Sequence, residues 1–191
     1  KVMNRMIEGD VGSGKTLVAI IAAFLAVKNG FQASVMAPTE TLVLQHLKNF
    51  RRILAPFNIE CCEVLGSQSK KERTEILEKI HNGSANIIIG THALLSETTI
   101  FKNLGLIVTD EQHRFGVNQR SLFSKKGDGC HSLVMSATPI PRSLSLVLYG
   151  DLKLSLIDEL PPGRTPIKTY IIGYDKHDRA LNFIKSFVEK K

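Results

Sequence analysis

Residues 9–16 restrict the fold of this chain more than any other segment, because their sequence, GDVGSGKT, matches the pattern of a phosphate-binding loop. Such a loop opens a helix, and the apolar stretch 17–27 follows it directly. Its glycines let backbone N–H groups and the helix N-terminus face an anion. The chain is therefore expected to bind a nucleoside triphosphate through Gly9, Asp10, Val11, Gly12, Ser13, Gly14, Lys15 and Thr16.

Two side chains of this loop have separate expected roles. Lys15 should reach the β- and γ-phosphates and act in catalysis, and the Thr16 hydroxyl should ligate Mg²⁺. ATP and Mg²⁺ are therefore the expected cofactors. The motif does not say what hydrolysis accomplishes, since kinases and switches share it, and a glycine-rich turn before a core helix is the structural alternative.

Short apolar runs alternate with helical stretches along the chain. The expected strands are 33–37, 87–90, 104–109 and 132–135. The expected helices are 17–29, 41–54, 70–82 and 117–123. Strands that alternate with helices need crossover connections, which predict an α/β fold with a parallel sheet sandwiched by helices. Ligands of such a sheet bind at the carboxyl ends of its strands.

The expected strand 104–109 delivers two adjacent carboxylates, Asp110 and Glu111, at its carboxyl end. Asp110 is expected to hold Mg²⁺ through its water shell, and Glu111 to orient and deprotonate an attacking water. A kinase passes phosphate to a bound substrate and has less use for a water-activating carboxylate, so Glu111 favours hydrolysis. The alternative is that the two acids begin an ordinary turn.

Residues 110–113, Asp-Glu-Gln-His, resemble a signature of superfamily 2 helicases, and other segments agree with it in order. Residues 38–42 resemble motif Ia, residues 90–94 the GTHAL segment and residues 136–142 motif III. The stretches 114–117 and 150–164 are similar to the branch-migrating group within that superfamily. The resemblance covers essentially the whole chain.

This resemblance implies a RecA-like motor lobe that uses ATP to translocate on branched DNA, such as forks and Holliday junctions, without reading sequence. It assigns coupling between the nucleotide site, the DNA and a second lobe to Gln112, His113, Ser136 and Thr138. The residues expected to hold a DNA backbone phosphate at strand ends are Thr39, Thr91 and His92. The alternatives are simple helix caps for the threonines and a core hydrogen bond for His113.

The sequence departs from the commonest pattern of the superfamily at three positions. Serine stands at Ser136 and Ser143 where threonine is usual, and because the hydroxyl is kept, the role of motif III should survive. Glu8 stands where glutamine is usual and adds a negative charge beside the phosphate loop. The sequence offers no account of that charge.

Two domains are expected, with residues 1–163 as the first lobe and 164–191 as the start of a second. Residues 161–164, Pro-Pro-Gly-Arg, are linker-like, and they precede an expected strand at 167–172 and helix at 176–189. The resemblance implies that the parent chain also carries the rest of the second lobe and an N-terminal wedge domain. Since the second lobe would supply arginine fingers, residues 1–191 alone should hydrolyse ATP very slowly.

Composition agrees with a polyanionic partner, because the net charge is +7. The longest apolar run, 17–27, is about half of the roughly 20 residues that cross a bilayer, and no leader pattern opens the chain, so neither a membrane span nor export is expected. The cysteines Cys61, Cys62 and Cys130 form no CxxC pair. Ordinary reduced thiols and a cytoplasmic location follow.

Three other functions stay open at this point. The motor lobe of a transcription-repair coupling factor is the nearest, although the segment 158–164 and Gln112 favour the branch-migrating group. A P-loop kinase would release a phosphorylated small molecule. A nonenzymatic binding module would bind nucleotide or DNA without turnover.

Overall fold

The computed structural model describes residues 2–110, 129–138, 152–159, 169 and 171–188. The chain divides into two compact units, Lys1–Pro161 and Pro162–Lys191. The first contains the whole sheet. In the second, the described regular structure is a short 3₁₀ helix, Tyr174–Lys176, and a helix at His177–Val188. That the second unit opens another lobe stays a prediction.

A seven-stranded parallel sheet forms the centre of the first unit in the described residues. Its strands are β1 Asn4–Gly9, β2 Gln32–Met36, β3 Cys61–Val64, β4 Ile87–Gly90, β5 Leu104–Asp110, β6 His131–Ser136 and β7 Lys153–Ile157. Across the sheet they run in the order β3-β4-β2-β5-β6-β1-β7. The predicted parallel α/β sheet is confirmed.

In the described part of the first unit, three helices connect these strands: α1 Lys15–Lys28, α2 Glu40–Leu54 and α3 Lys70–Asn82. The start of α3 shows why its sequence forms a helix there. Ser69 accepts a hydrogen bond from the Glu72 N–H, and the Glu72 carboxylate accepts one in return from the Ser69 N–H. The Ser69 hydroxyl also donates to Glu72 and lowers the pKa of its carboxyl. Gly83, with φ of 83°, ends the helix.

The core lies on both faces of the sheet, as alternating strand side chains require. On β4, Ile87 and Ile89 belong to the cluster under α1 and α2, while Ile88 belongs to the cluster under α3. All three side chains are fully buried. A run of isoleucines is therefore explained by a central strand that is covered on both sides.

Gln32 lies at the start of β2, at the amino ends of the strands. The motifs lie at the opposite, carboxyl ends. Its amide Nε2 donates to the carbonyls of Ile80 and Ala85 at 2.9 and 2.8 Å. Its Oε1 accepts from the N–H groups of Lys102 and Asn103 at 2.9 and 3.1 Å. One buried side chain thus joins the end of α3, the approach to β4 and the approach to β5.

The predicted elements differ from the observed ones in several places. Strand 87–90 and helix 70–82 match at both ends, whereas β1, β3 and β7 were not predicted. The described residues of the expected strand 167–172 are Thr169, Ile171 and Ile172, and none of these three lies in a strand. The expected helix 117–123 lies outside the described residues.

Within the part of the chain that is described, no helix is both long enough and apolar enough to cross a bilayer. The longest described helix, α2, has 15 residues and buries one face against the sheet.

Burial explains the chemistry expected of two cysteines on β3. Cys61 and Cys62 face opposite clusters, and burial raises the pKa of their thiols to about 11 and about 12. We expect both to resist iodoacetamide at pH 8, with a rate that rises roughly tenfold per pH unit as thiolate forms. Mass spectrometry of the peptide that contains them measures this, with the protein in denaturant as the reactive control. Rapid native labelling at pH 8 would contradict the burial.

Candidate functional site

The register of the sheet brings three sequence motifs together at the carboxyl ends of the strands. Glu8 on β1 pairs with Ser136 on β6, and Met135 on β6 pairs with Asp110 on β5. Neighbouring strands lie about 4.8 Å apart, so the ends of β5, β6 and β1 fall within about 10 Å of one another. The phosphate loop that follows Gly9 therefore lies next to the start of motif III, with Asp110 one strand beyond.

The phosphate loop has the backbone that its glycines permit. Gly12 and Gly14 have φ angles of 85° and 96°, in the left-handed region that side chains disfavour. Gly14 is the N-cap of α1, and the first turn of that helix contains no acidic residue. The positive end of the helix dipole is therefore not neutralised locally, which suits an anion.

Lys15 and Ser13 show how this loop is prepared for a ligand. Lys15 Nζ donates to the carbonyl oxygens of Gly9 and Asp10 at 2.7 and 2.8 Å, so its charge lies over the loop. Ser13 Oγ is buried and has no hydrogen-bond partner among the described residues. A buried hydroxyl without a partner is costly, and a phosphate oxygen would satisfy it.

Asp110 lies at the end of β5 and has a partner that the sequence did not reveal. His46 Nε2, on α2, is 2.8 Å from Asp110 Oδ2, and the two side chains are only 8% and 15% exposed. His46 lies on the buried face of α2 beside Val43 and Leu47. A polar residue on the apolar face of a helix was the signal that could have identified it.

Two side chains near the carboxyl ends of these strands could ligate a divalent cation. Thr16 in the first turn of α1 offers a hydroxyl, and Asp110 offers a carboxylate at a nearby strand end. The described ranges contain no group of three or more His, Cys, Asp or Glu side chains placed to hold a metal ion. One hydroxyl and one carboxylate suit Mg²⁺, which usually keeps several waters and binds through one or two protein ligands plus phosphates.

Two of the four residues to which the resemblance assigns coupling, Ser136 and Thr138, lie in the described ranges and contact each other. Ser136 is 2% exposed, and its hydroxyl is 3.0 Å from Thr138 Oγ1. The Thr138 N–H also donates to Ser136 Oγ at 3.2 Å. The serine that replaces threonine at 136 thus keeps its hydroxyl engaged. Gln112 and His113, and the proposed base Glu111, lie outside the described residues.

The residues expected to contact DNA follow β2 and β4. They lie at the carboxyl ends of the strands in the other half of the sheet. Thr39 is exposed and caps α2, accepting from the Leu42 N–H at 3.3 Å. Thr91 is 4% exposed and accepts from the Ala93 N–H at 3.4 Å, while His92 is exposed. The capping alternative therefore holds for both threonines, and Thr39 and His92 are the accessible members. Their contact with DNA stays a prediction.

Comparison with known proteins agrees with this arrangement. A family model described as DEAD/DEAH box helicase matches residues 2–147. The ATP-dependent DNA helicase RecG of Borreliella burgdorferi is 49% identical over 185 residues, which cover 97% of this chain and 27% of that protein. The RecG of Haemophilus influenzae is 48% identical over 188 residues, covering 96% and 27%. The chain spans about a quarter of the length of these curated relatives.

Solved structures agree as well. One described as RecG bound to a three-way DNA junction matches with a TM-score of 0.80 and 41% identity, over 100% of this chain and 25% of that one. The DNA-bound helicase MrfA, at 21% identity and a TM-score of 0.66, covers 82% of this chain and 25% of its own, and shows the fold alone. The resemblance indicated by the motifs is confirmed, and so is the RecA-like lobe.

Two glycines provide a matched test of the phosphate loop. Gly14 and Gly30 both have positive φ, of 96° and 83°, and a Cβ at either would meet no atom within 4 Å. Alanine at either position should lower the free energy of unfolding by about 1–2 kcal/mol through backbone strain. Only Gly14→Ala should also weaken binding of a fluorescent ATP analogue to the full-length protein. Equal nucleotide affinity in both variants would argue against a phosphate loop at residues 9–16.

Proposed function

The chain belongs to the DEAD/DEAH box helicase family, and we propose that it forms the ATP-binding motor lobe of a helicase that translocates on branched DNA. The supporting observation is the register of β5, β6 and β1, which places the phosphate loop, Asp110 and Ser136 together at the carboxyl ends of these strands. A phosphate-binding loop and a carboxylate for the metal ion at nearby strand ends are what ATP hydrolysis requires.

The nucleotide would be held mainly by the loop and by Lys15. Backbone N–H groups at the start of α1 would face the phosphates, and Lys15 Nζ would exchange two neutral carbonyl acceptors for charged phosphate oxygens. Thr16 and Asp110 would hold Mg²⁺, the latter through water. When bound, Mg²⁺ would offset the negative charge of the phosphates.

Hydrolysis needs a base next to Asp110, and Glu111 is the residue that we propose for it. Its carboxylate would take a proton from water as the water oxygen bonds to the γ-phosphorus. The bond from that phosphorus to the bridging oxygen of ADP breaks in line with the attack. Gln112, His113, Ser136 and Thr138 would pass the change at the phosphates to the DNA and to the second lobe.

DNA would lie along the carboxyl ends of β4 and β2. The nucleotide would lie at the carboxyl ends of β5, β6 and β1. Thr39 and His92 are accessible there, and Thr91 caps the short 3₁₀ helix that begins at His92. Contacts of this kind hold backbone phosphates and carry no base specificity. A relative has been solved on a three-way DNA junction, which supports branched DNA as the substrate.

The rest of the proposal concerns the whole protein. A second lobe and an N-terminal wedge domain of the same chain would complete the motor, and the protein would work in the bacterial cytoplasm. The relatives are bacterial and about four times longer than this chain, which supports both points.

The decisive measurement is ATP hydrolysis by the full-length protein with and without a synthetic DNA fork. We expect the fork to stimulate hydrolysis, and Glu111→Gln to reduce the stimulated rate by at least about 100-fold because the base is lost. The same variant should still bind a fluorescent ATP analogue. Lys15→Ala, as the control, should lose nucleotide binding as well. No stimulation by any DNA in a folded protein would favour a kinase or a nonenzymatic binding module.

The isolated chain provides a further test. Because an arginine supplied from another domain contributes about 10³ to 10⁵ in rate in other phosphoryl-transfer proteins, residues 1–191 alone should show almost no turnover. The same phosphate-release assay measures it. DNA-stimulated turnover that Lys15→Ala abolishes would show that this lobe needs no second one.

A further inference from the structure

The contact between His46 and Asp110 has no role in the proposed hydrolysis as described so far. We propose that His46 is a positioning residue that holds the Asp110 carboxylate in the orientation needed for Mg²⁺. This rests on the proposed function, in which Asp110 binds Mg²⁺ through water. The observations that support it are the 2.8 Å distance from His46 Nε2 to Asp110 Oδ2 and the burial of the His46 side chain, which is 8% exposed.

The hydrogen bond has one direction. An ionised carboxylate only accepts, so Nε2 carries the proton and donates to Oδ2. Nδ1 is buried and has no hydrogen-bond partner among the described residues. Among the described residues, the imidazole therefore makes a single hydrogen bond, which is to Asp110. A side chain that served only the core would be more favourable as a leucine, since a buried polar nitrogen without a partner costs free energy.

One carboxylate oxygen of Asp110 is held by this bond. Asp110 has a second oxygen, Oδ1, that can accept from a water in the shell of a cation. Because the Oδ2 bond sets the plane of the carboxylate, Oδ1 is held in one direction instead of rotating. Partners of this kind behind a metal ligand commonly change metal affinity by about 10- to 100-fold when they are removed.

The buried face of α2 holds His46 in place. The α2 helix that carries it buries Val43, Leu47 and Phe50, which are 0%, 5% and 0% exposed. The same helix begins directly after Thr39, about two helical turns before His46. The helix that supports the metal carboxylate is thus the one whose first turn is proposed to meet DNA.

The test compares three variants of the full-length protein. His46→Leu keeps a similar volume and removes the donor. His46→Gln keeps an N–H donor at about the position of Nε2. His81→Leu makes the same change at an exposed position on α3 and is the matched control. For each, a fluorescent ADP analogue is titrated with Mg²⁺, and the free energy of unfolding is measured by chemical denaturation.

We expect His46→Leu to raise the Mg²⁺ concentration at half-saturation at least tenfold, with His46→Gln recovering most of the loss and His81→Leu equal to wild type. In the ATPase assay, His46→Leu should lower kcat and leave the KM for the DNA fork unchanged. Lower stability with wild-type Mg²⁺ dependence would show that His46 only packs, and would overturn the inference. A change in the KM for the fork with kcat intact would overturn it too.

Failure of the broader proposal is recognised separately. If the wild-type protein binds the nucleotide with no dependence on Mg²⁺, then Asp110 is not at a metal site and both proposals fall. If wild type depends on Mg²⁺ and His46→Leu behaves identically, only the role of His46 is lost.

Discussion

The parallel hydrogen-bonded ladder of β5, β6 and β1 is the constraint on which the rest of the site depends. Residues as distant in sequence as Gly9, Asp110 and Ser136 become neighbours only because these strands run in one direction in a fixed register. A slip by one residue would turn each strand's buried side chains toward the opposite face. The apolar clusters on the two faces of the sheet hold this register. They therefore determine, indirectly, which side chains come together in the site.

Much of this could be predicted from sequence where local signals were strong. The isoleucines of β4 and the capping residues Ser69 and Gly83 gave the bounds of a strand and a helix correctly, because their structure is set within a few residues. The strand β1 was missed because polar residues at both of its ends hide the apolar pair inside it. The short strands β3 and β7 lie at the two edges of the sheet, where the apolar pattern is weakest.

The candidate site divides in the same way. The phosphate loop and Asp110 could be predicted because each is a contiguous motif that follows or ends a strand. His46 could not, because its bond to Asp110 joins residues 64 positions apart and depends on how α2 lies on the sheet. Thr39 was assigned to DNA, and the structure shows it as a helix cap. The two roles share one geometry, since both place a hydroxyl and free N–H groups at the start of a helix.

Because of Gln32, the amino and carboxyl ends of the strands differ in how completely their buried polar groups are hydrogen-bonded. At the amino ends of the strands, its buried amide satisfies four backbone groups from three segments of the chain. At the carboxyl ends, Ser13 Oγ and His46 Nδ1 are left without partners among the described residues. The amino ends around Gln32 are therefore closed by internal hydrogen bonds, whereas buried polar atoms at the carboxyl ends keep hydrogen-bonding capacity that the described residues do not use.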